Sequence, residues 1–370
     1  MRVALIHDWL LNTGGAEKVL RSLHNIFPEA PIYTLFHDKK FIDSFLPGAN
    51  IHASFVQPLF KFFKSHQFLA PLMPLAIESF DFSEFDLVIS SSVSFSKGII
   101  LKPKTLHVCY CHSPTRQVWD WHAEYKKEKH KTPRLIVALW QHLSRIWDFH
   151  SASRVDYFIA NSKNVADRIR KYYGRESSVI YPPVSFFDIS SRKIESIPYT
   201  LYPIPFFLIV SRLFPSKNVD LAVKAFNKLG WPLIVIGDGP ELGRLQKMAQ
   251  KNVRFLGYQS DEIVSDYYAD CSGFIMPQEE DFGITPIEAM SYGKPVLALR
   301  RGGALEYIEE GINGEFFDDA VPEVLADGVR RMKEDLSKYN PEKVKRTAER
   351  FSEERFKKEL LEFVEKVSQV

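Results

Sequence analysis

Residues 206–239 read FFLIVSRLFPSKNVDLAVKAFNKLGWPLIVIGDG, and this stretch decides the fold class. It places two short, uninterrupted apolar runs, FFLIVSR and PLIVIGDG, on either side of an amphipathic helical pattern, Val219 to Leu229. Continuous apolar strands that alternate with such helices are typical of parallel sheets covered on both faces. The stretch therefore predicts a β-α-β unit of an α/β domain.

The alternation of apolar strands and helices continues along the rest of the chain in two series. The first series comprises VALIH (3–7), PIYTLF (31–36), DLVISS (86–91), LHVCYCH (106–112), YFIANS (157–162) and VIYPPV (179–184). The second comprises the two runs above, then VRFLG (253–257), GFIMP (273–277), PVLAL (295–299) and GEFF (314–317). Further helical patterns lie at Ala16–Phe27, Ser162–Tyr173, Pro240–Gln250 and Pro286–Tyr292. Two series predict two doubly wound, Rossmann-like α/β domains, joined through the polar stretch 190–205.

The composition excludes several classes of protein. The chain has 370 residues, 45% of them hydrophobic, and a net charge of +2, which is typical of two globular domains and gives no basic excess for nucleic acid. Its three cysteines, Cys109, Cys111 and Cys271, are too few for a disulfide framework, and we expect them to be buried. No apolar run predicts a membrane span or a signal peptide. We therefore expect a cytoplasmic protein.

One short motif follows the first strand of each series, at the position where open α/β sheets bind ligands. Gly14 and Gly15 open a helix, so backbone N–H groups there could approach an anion closely, although such a pair is often only a turn. Arg212 and Lys217 flank a proline-containing turn just before the helix at Val219. Two cations beside a helix N-terminus can neutralise a diphosphate without a metal, but they could also be solvated surface residues.

A third motif, PQEEDFGITPIEAMSYGKPVLA (277–298), contains Glu280 and Glu288, separated by seven residues. The glycine turn before its helix predicts that the backbone N–H groups of residues 282–285 line a cleft beside these carboxylates. Carboxylate oxygens accept hydrogen bonds from vicinal hydroxyls. The alternative is that Glu288 is a solvent-facing helix residue.

A fourth motif, CYCHSPTRQVWDWH (109–122), places His112 at the end of a strand. A histidine in that position can face a ligand, whereas a lone histidine is more often structural. Each motif is weak by itself, but their order across the two halves of the chain is specific.

This order resembles that of the retaining glycosyltransferases of family 4, which have the GT-B architecture of two Rossmann-like domains facing across a cleft. The resemblance rests on GGAE, YCHSPTR, FIANSKNVADRI, VIYPPV, VSRLFPSKN, IGDGPE, RFLGYQS and the stretch 277–298, which holds the family's E-x7-E motif. YCHSPTR followed by WDW is similar to the mannosyltransferase branch of bacterial surface-polysaccharide biosynthesis. The resemblance implies an acceptor-binding domain at 1–195, a nucleotide-sugar-binding domain at 196–350, and a final helix, 351–370, that packs back on the first domain.

The resemblance also implies a role for each motif residue. Arg212 and Lys217 would bind the donor diphosphate, and Glu288 would hold the ribose hydroxyls. His112 would face the donor sugar and the acceptor, with Asn161 and Ser162 on the acceptor side. Further donor contacts would come from Gly14, Gly15, Gly257, Glu280, Phe282, Gly283, Ile284 and Thr285. The catalytic residues would be His112, Arg212, Lys217 and Glu280.

The implied reaction transfers a hexose, with GDP-mannose as the expected donor, to a saccharide or lipid-linked acceptor, with retention of configuration and without a cofactor. No two aspartates are spaced D-x-D, the pair that holds a metal in glycosyltransferases of the other major architecture, so we predict no metal site. Three alternatives stay open: a UDP-sugar donor, a sugar-nucleotide 2-epimerase of the same architecture, and an inactive sugar-nucleotide-binding scaffold.

Phenylalanine is concentrated in residues 55–85, FVQPLFKFFKSHQFLAPLMPLAIESFDFSEF, with Lys61, Lys64 and His66 among the rings. Because phenylalanine is common in protein cores, one prediction is that these rings pack inside the first domain. The other is a basic and aromatic surface that binds a lipid-linked acceptor or the inner face of the cell membrane, helped by KKEKHK at 126–131.

Overall fold

The computed structural model describes residues 1–63, 66–123, 125, 133–186 and 205–369. The chain divides into two compact units. The first comprises Met1–Pro183 and Phe356–Val370, and the second comprises Val184–Arg355. The predicted linker at 190–205, apart from Pro205, and the basic sequence at 126–131 lie outside the described residues.

The first unit contains a parallel sheet. Its described strands are β1 (Val3–His7), β2 (Ile32–Thr34), β3 (Ile51–Ala53), β4 (Leu87–Ser92), β5 (Leu106–Cys111), β6 (Tyr157–Ala160) and β7 (Ser177–Val179). Their order across the sheet is β3-β2-β1-β4-β5-β6-β7. The chain therefore moves outward from β1 to one edge, returns to β4 and continues to the other edge, which makes the β1/β4 boundary the switch point of this sheet.

The second unit repeats this topology. Its described strands are β8 (Phe207–Val210), β9 (Leu233–Ile236), β10 (Val253–Phe255), β11 (Gly273–Met276), β12 (Val296–Leu299) and β13 (Gly314–Phe317). They are parallel and lie in the order β10-β9-β8-β11-β12-β13, with the switch point between β8 and β11. Both sheets thus have the strand order of a doubly wound Rossmann fold, which confirms the predicted fold class of two α/β domains.

Helices pack on these sheets. The described α-helices of the first unit are Gly15–Ile26, Lys39–Phe45, Gln57–Phe63, His66–Leu69, Met73–Glu78, Arg134–Ala152, Lys163–Tyr173 and Glu353–Ser368. Those of the second are Val219–Leu229, Leu242–Met248, Asp261–Asp270, Ile284–Ser291, Pro322–Glu334 and Pro341–Glu349. Successive residues of β1 enter different hydrophobic clusters, Leu5 one and Ala4 and Ile6 another. The first sheet is therefore buried on both faces, as its uninterrupted apolar strands require.

The last helix, Glu353–Ser368, belongs to the first unit from Phe356 onward, although the second unit precedes it in the sequence. Phe356 and Leu360 are fully buried in the same cluster as Leu5, and the Phe356 ring lies 5.8 Å from the ring of Tyr110. Burying one such side chain contributes about 1.5–3 kcal/mol, so this helix stabilises the first unit through apolar contacts.

Two strand predictions differ from the structure. The run VIYPPV (179–184) is wrong as a strand, since β7 ends at Val179. Pro182 and Pro183 have no N–H group to donate to a sheet ladder, which explains why the strand cannot include them. Strand β3 was not predicted, because its three residues are too few to form a recognisable apolar pattern. The other strands overlap the predicted runs.

The phenylalanine-rich segment divides between core and surface. Phe82 and Phe85 are buried and contact Tyr33, so the prediction of core packing is confirmed there. It is wrong for Phe62 and Phe68, which are 80% and 76% exposed. The side chains of Lys64 and His66 lie outside the described residues.

Two predictions from composition concern cysteines and membrane spans. Cys109, Cys111 and Cys271 are free and buried, as predicted. Within the part of the chain that the structure describes, no helix is both long enough and apolar enough to cross a bilayer.

Candidate functional site

The switch point of the second sheet brings two of the predicted motifs together. Because β8 lies beside β11, the loops that follow these parallel strands leave the sheet at the same edge. The first loop carries Lys217 and the second carries Glu280, and Lys217 Nζ lies 2.5 Å from Glu280 Oε1. Both side chains are largely buried. Open α/β sheets bind their ligands at this position.

The loop after β8 is held by the glycine turn that follows β9. Ser211 N donates a hydrogen bond to Ile236 O at 3.0 Å. A Cβ atom at Gly237, whose φ is 135°, would lie 1.9 Å from Ser211 O, so only glycine fits there. Gly237 N donates to Gly257 O at 2.8 Å, which places the predicted donor-binding residue Gly257 on the next loop along this edge.

Two cations extend from the loop after β8. Its short 3-10 turn, Pro215–Lys217, ends at Asn218, whose left-handed φ of 48° precedes the helix Val219–Leu229. The side chain of Arg212 is exposed, with its guanidinium 5.8 Å from the ring of Phe214, and no carboxylate of the described residues pairs with it. Cations next to a helix N-terminus suit an anionic group such as a diphosphate.

Glu280 is fixed by contacts from both sides. Its Oε1 atom accepts hydrogen bonds from Lys217 Nζ and, at 2.8 Å, from Gln278 Nε2. Its main-chain oxygen accepts a hydrogen bond from Gly303 N at 2.9 Å, so the loop after β12 packs directly on this turn. The carboxylate is therefore held in one position at the edge of the sheet.

The turn from Glu280 into the helix Ile284–Ser291 is equally constrained. Phe282 is 2% exposed, and its ring lies 5.7 Å from that of Tyr307. Gly283 has φ 93°, and a Cβ atom there would lie 2.8 Å from Tyr307 Oη. Ile284 and Thr285 form the first turn of the helix, where backbone N–H groups have no partner within the helix and are suited to an oxygen ligand.

Glu288 lies in the second turn of that helix and is 6% exposed, so it is not the solvent-facing residue of the alternative interpretation. Its Oε2 atom accepts a hydrogen bond from the buried hydroxyl of Tyr268 at 2.9 Å. Burial, together with the negative charge of Glu288, raises the pKa of Tyr268 well above its usual value, so the phenol remains a donor to the carboxylate. This bond orients Glu288.

In the first unit, the switch point is filled by a carboxylate of the chain itself. Asp8 directly follows β1 and is 1% exposed. Its two oxygens accept hydrogen bonds from the backbone N–H groups of Val93, Ser94, Phe95 and Ser96, at 2.5 to 3.0 Å. Hydrogen bonds to a charged group are worth about 1.5–3 kcal/mol each, so Asp8 fixes the loop that follows β4.

A buried hydrogen-bond network runs from the end of β1 to the end of β5. His7 Nδ1 lies 3.0 Å from Ser91 O and 3.1 Å from Ser91 Oγ. Ser91 Oγ lies 2.8 Å from Nε2 of His112, the predicted catalytic histidine. On the other side of His7, Nε2 lies 3.7 Å from Glu17 Oε1. The four side chains come from three strand ends and the helix Gly15–Ile26.

The hydrogen-bond partners assign the tautomer of His112. Because Ser91 O can only accept, His7 Nδ1 carries a proton, and Ser91 Oγ directs its own proton to His112 Nε2. Burial, reinforced by the charge of His7, lowers the pKa of His112 to about 3, so the ring is neutral at neutral pH. Its single proton is then on Nδ1, for which the described residues provide no hydrogen-bond partner. His112 thus offers an N–H donor and not a base.

Glu17 completes the network and lies against Gly14. Burial alone would lower the pKa of His7, but the hydrogen bond and charge of Glu17 outweigh it, and the pKa of His7 is raised. Gly14 caps the helix that begins at Gly15, and a Cβ atom at Gly14 would lie 2.7 Å from Glu17 Oε2. The motif GGAE therefore leaves room for the carboxylate that faces His7.

Asn161 and Ser162, predicted on the acceptor side, make contacts within the first unit. Asn161 Nδ2 donates to His112 O at 3.0 Å, and Ser162 Oγ donates to Asn161 Oδ1 at 3.0 Å. Ser162 Oγ also accepts from Val165 N at 3.1 Å, so it caps the helix Lys163–Tyr173. Asn161 thus lies directly beside His112.

Several residues of these sites were missed in the sequence. Gln278, Tyr268 and Ser91 each contact a predicted residue directly, and His7 and Glu17 extend the network behind Ser91. Apart from Gln278, which lies two residues from Glu280, each has a partner that the local sequence does not reveal. The one available signal was the position of His7 and Asp8 at the end of β1. Among the described residues no group of three or more His, Cys, Asp or Glu side chains could hold a metal ion, and the metal-free site stays a prediction.

Two family profiles match the two halves of the chain. Residues 13–186 match the family described as Glycosyltransferase Family 4, and residues 203–353 match the one described as Glycosyl transferases group 1. The structure of Anabaena Alr3699/HepE in complex with UDP and glucose is similar to this chain, with a TM-score of 0.75 at 20% identity over 99% of both chains. At this identity the likeness concerns the fold.

Curated relatives match over shorter stretches. An uncharacterised glycosyltransferase of Methanocaldococcus jannaschii, MJ1178, is 27% identical over 56% of this chain and 58% of its own length. The alpha-1,3/1,6-mannosyltransferase ALG2 of Saccharomyces cerevisiae is 28% identical over 56% of this chain and 48% of its own length. The chain thus spans about half the length of the curated relatives it matches. With its two Rossmann-like units and both profiles, it belongs to the GT-B glycosyltransferases that join a family 4 domain to a group 1 domain.

Proposed function

We propose that this chain is a retaining, metal-independent glycosyltransferase that moves a hexose from a nucleotide sugar to a saccharide or lipid-linked saccharide during cell-surface polysaccharide assembly. The observation that carries the proposal is the contact between Lys217 and Glu280 at the switch point of the second sheet. A nucleotide sugar offers a diphosphate next to a polyhydroxyl ring. A cation and a carboxylate side by side recognise these two chemistries.

Each charged residue has a distinct part in the proposed reaction. Arg212 and Lys217 bind the diphosphate and stabilise the negative charge that grows as the nucleotide leaves. Glu280 accepts hydrogen bonds from the donor sugar, and Glu288 accepts them from the ribose. His112, neutral and protonated on Nδ1, donates a hydrogen bond to a substrate oxygen. Since His112 cannot take up the acceptor proton, that proton passes to an oxygen of the departing phosphate.

GDP-mannose is the donor that we propose. The mannosyltransferase relative supports it, whereas the HepE structure contains UDP and glucose, so a UDP-sugar is the alternative. Thermal unfolding of the purified protein with GDP, UDP, GDP-mannose or UDP-glucose separates the two, because a ligand that binds only the folded state raises the midpoint. We expect the largest rise with the guanine nucleotides.

Replacing the cations tests the proposed diphosphate site. We expect Lys217→Ala and Arg212→Ala each to lower sugar transfer by about 100- to 1,000-fold, as for other preorganised groups that stabilise transition-state charge. Lys224→Ala is the matched control, since Lys224 lies on the following helix, exposed and paired with Asp220. The control should transfer sugar like the wild type, and all three variants should keep the wild-type circular dichroism spectrum. Transfer should also survive EDTA.

Other results of the same assay would contradict the proposal or identify a different function. Wild-type rates in either cation variant would remove the diphosphate assignment, and strict dependence on an added divalent ion would contradict the metal-free site. Conversion of the donor to an epimer without an acceptor would identify a 2-epimerase. A donor that binds tightly but is never consumed with any saccharide or lipid-linked acceptor would indicate a scaffold.

A further inference from the structure

The helix Arg134–Ala152 presents an apolar face to solvent. Six large apolar side chains on it are each between 46% and 81% exposed: Leu135, Ile136, Leu139, Leu143, Ile146 and Phe149. At 3.6 residues per turn, these positions fall within an arc of roughly 140° on the helix surface. Single exposed apolar residues are ordinary, but a contiguous row of this kind usually marks an interaction surface.

The inner face of the same helix is the more polar one. Its buried residues include Gln141, Asp148 and Ser151. Asp148 accepts hydrogen bonds from Lys97 and Thr115 at 2.5 and 2.7 Å, and Gln141 Nε2 donates to Gln117 O at 2.8 Å. A surface helix normally turns its apolar side to the core. Since polar contacts hold this helix in place, packing of its own domain does not explain the six exposed apolar side chains.

The charges around the apolar face indicate what covers it. Asp148 is the only carboxylate in the helix, and it points inward with its side chain 3% exposed. The exposed polar residues of the helix are Arg134, His142 and His150. In sequence, Arg134 ends the stretch KKEKHKTPR (126–134), which has a positive net charge. An apolar face without acidic groups and with cations at its start is complementary to an anionic lipid surface.

A second exposed apolar group lies on neighbouring helices of the first unit. Phe62, Phe63 and Phe68 are 49% to 80% exposed, and Lys61 next to them is exposed as well. This segment continues into the helix Met73–Glu78, whose Glu78 Oε1 accepts a hydrogen bond from Trp147 Nε1 at 2.9 Å. Exposed basic and aromatic side chains thus occur on the same unit as the helix Arg134–Ala152, and the segment that follows them contacts this helix through Glu78.

We propose that the helix Arg134–Ala152 docks in the plane of an anionic bilayer, with its six apolar side chains at the boundary between headgroups and acyl chains. The helix lies on the bilayer and does not cross it. Lys61, Phe62, Phe63 and Phe68, on the same unit, add cationic and aromatic contacts. This docking surface shares no residue with the proposed sugar-nucleotide site and stands whether or not the chain transfers a sugar.

Vesicle co-sedimentation tests the proposal without any sugar nucleotide. The purified protein is mixed with phosphatidylcholine vesicles that contain no phosphatidylglycerol or about one third of it. We expect binding to the anionic vesicles that weakens with salt. The double variant Leu139→Glu with Leu143→Glu should lose at least about tenfold in partitioning, because charges enter the apolar boundary at a cost.

The matched control is Leu361→Glu, an exposed leucine on the last helix of the same unit. It should bind like the wild type, and both variants should keep the wild-type unfolding temperature, because the replaced side chains are exposed. Absence of wild-type binding to anionic vesicles, or undiminished binding of the double variant, would overturn the proposal. So would a wild-type dimer in sedimentation equilibrium that the double variant converts to a monomer, since the face would then bind a second copy of the chain.

Discussion

The hydroxyl of Ser91 decides which nitrogen of His112 carries the proton. It lies between two imidazoles, 3.1 Å from His7 Nδ1 and 2.8 Å from His112 Nε2. The first imidazole is protonated at the facing nitrogen, and the described residues offer the hydroxyl no other acceptor, so it directs its proton toward the second. A histidine that is neutral and protonated on Nδ1 donates a hydrogen bond to a substrate oxygen without becoming a base for it.

Replacing Ser91 with alanine therefore changes the tautomer of His112. In the wild type we expect the nitrogen NMR shifts of His112 to report a single neutral tautomer with the proton on Nδ1, unchanged between about pH 5.5 and 8. In Ser91→Ala, Nε2 loses its donor, so we expect a mixture of tautomers and a weaker substrate hydrogen bond. Two-bond nitrogen–proton correlation spectra of histidine-labelled protein measure both states.

Ser90→Ala is the matched control for this experiment. Ser90 is the preceding residue of the same strand, and its hydroxyl lies 2.9 Å from His107 Nε2 instead. It should alter the signals of His107 and leave those of His112 unchanged. A His112 ring that titrates near its ordinary pKa in the wild type, or that keeps one tautomer in Ser91→Ala, would contradict the assignment.

At the scale of one element, Asp148 anchors the helix Arg134–Ala152. Beyond Lys97 and Thr115, its carboxylate accepts hydrogen bonds from Trp119 Nε1 at 2.7 Å and Tyr173 Oη at 2.8 Å. Lys97 itself is 1% exposed and lies on the short helix after β4. One buried carboxylate thus joins this helix to the loops after β4 and β5.

We expect Asp148→Asn to lower the free energy of unfolding of the first unit by about 3–5 kcal/mol, because it leaves the Lys97 ammonium buried without its counter-charge. Urea titration measures the change. The control is Asp167→Asn, which removes an exposed ion pair with Arg170 and should cost no more than about 1 kcal/mol. Adding Lys97→Met to Asp148→Asn should restore part of the loss. No recovery in the double variant would mean that the charge of Lys97 is not the cause.

Single strands and helices were predicted correctly where their burial leaves a clear pattern of apolar residues in the sequence. Strands such as β8 and β9 were found because burial on both faces forces an uninterrupted apolar run. The predicted strand VIYPPV (179–184) was wrong because the apolar pattern takes no account of backbone N–H groups, which Pro182 and Pro183 lack. The helix Arg134–Ala152 was not predicted at all. Its outward apolar face could not have been predicted either, since periodicity gives the direction of an apolar face only if one assumes that it points inward.

The residues of the candidate site also divide into those that a local pattern reveals and those whose role depends on distant partners. The positions of Arg212, Lys217 and Glu280 in loops after strands could be predicted, because a local motif is enough to place them there. Ser91 was not found, because its role depends on His7, 84 positions earlier in the sequence, and on the register of β1 against β4. Local sequence thus predicts which side chains reach the edge of a sheet, but not the network that sets their protonation.

At the scale of the whole molecule, the two units differ in their histidine content. All eleven histidines lie between His7 and His150, so the first unit contains every one of them and residues 184–355 contain none. Burial lowers the pKa of His107 and His112 to about 3. Titration between neutral pH and about pH 5 therefore acts on histidines of one unit only.

The sign of this effect follows from linkage. In the unfolded chain His107 and His112 take up protons near pH 6.5, whereas in the folded chain they stay neutral, so stability falls as the pH drops from about 6.5 toward 3. With about 1.4 kcal/mol per pKa unit, each of the two costs about 2 kcal/mol at about pH 5. His7, whose pKa is raised, opposes them, since its contribution is present below about pH 6.5 and is lost as the pH rises through its folded value.

We therefore expect the urea midpoint of the first unit to fall between about pH 7 and pH 5, while that of the second unit changes little in this range. Five of the six tryptophans belong to the first unit, so Trp231→Phe gives a protein whose tryptophan fluorescence reports that unit alone. In this background His107→Gln should reduce the pH dependence, because it removes one of the two groups that take up a proton on unfolding. His142→Gln, at an exposed histidine, should leave it unchanged. A midpoint that is independent of pH, or a slope that His107→Gln leaves intact, would show that the buried imidazoles are not the groups responsible.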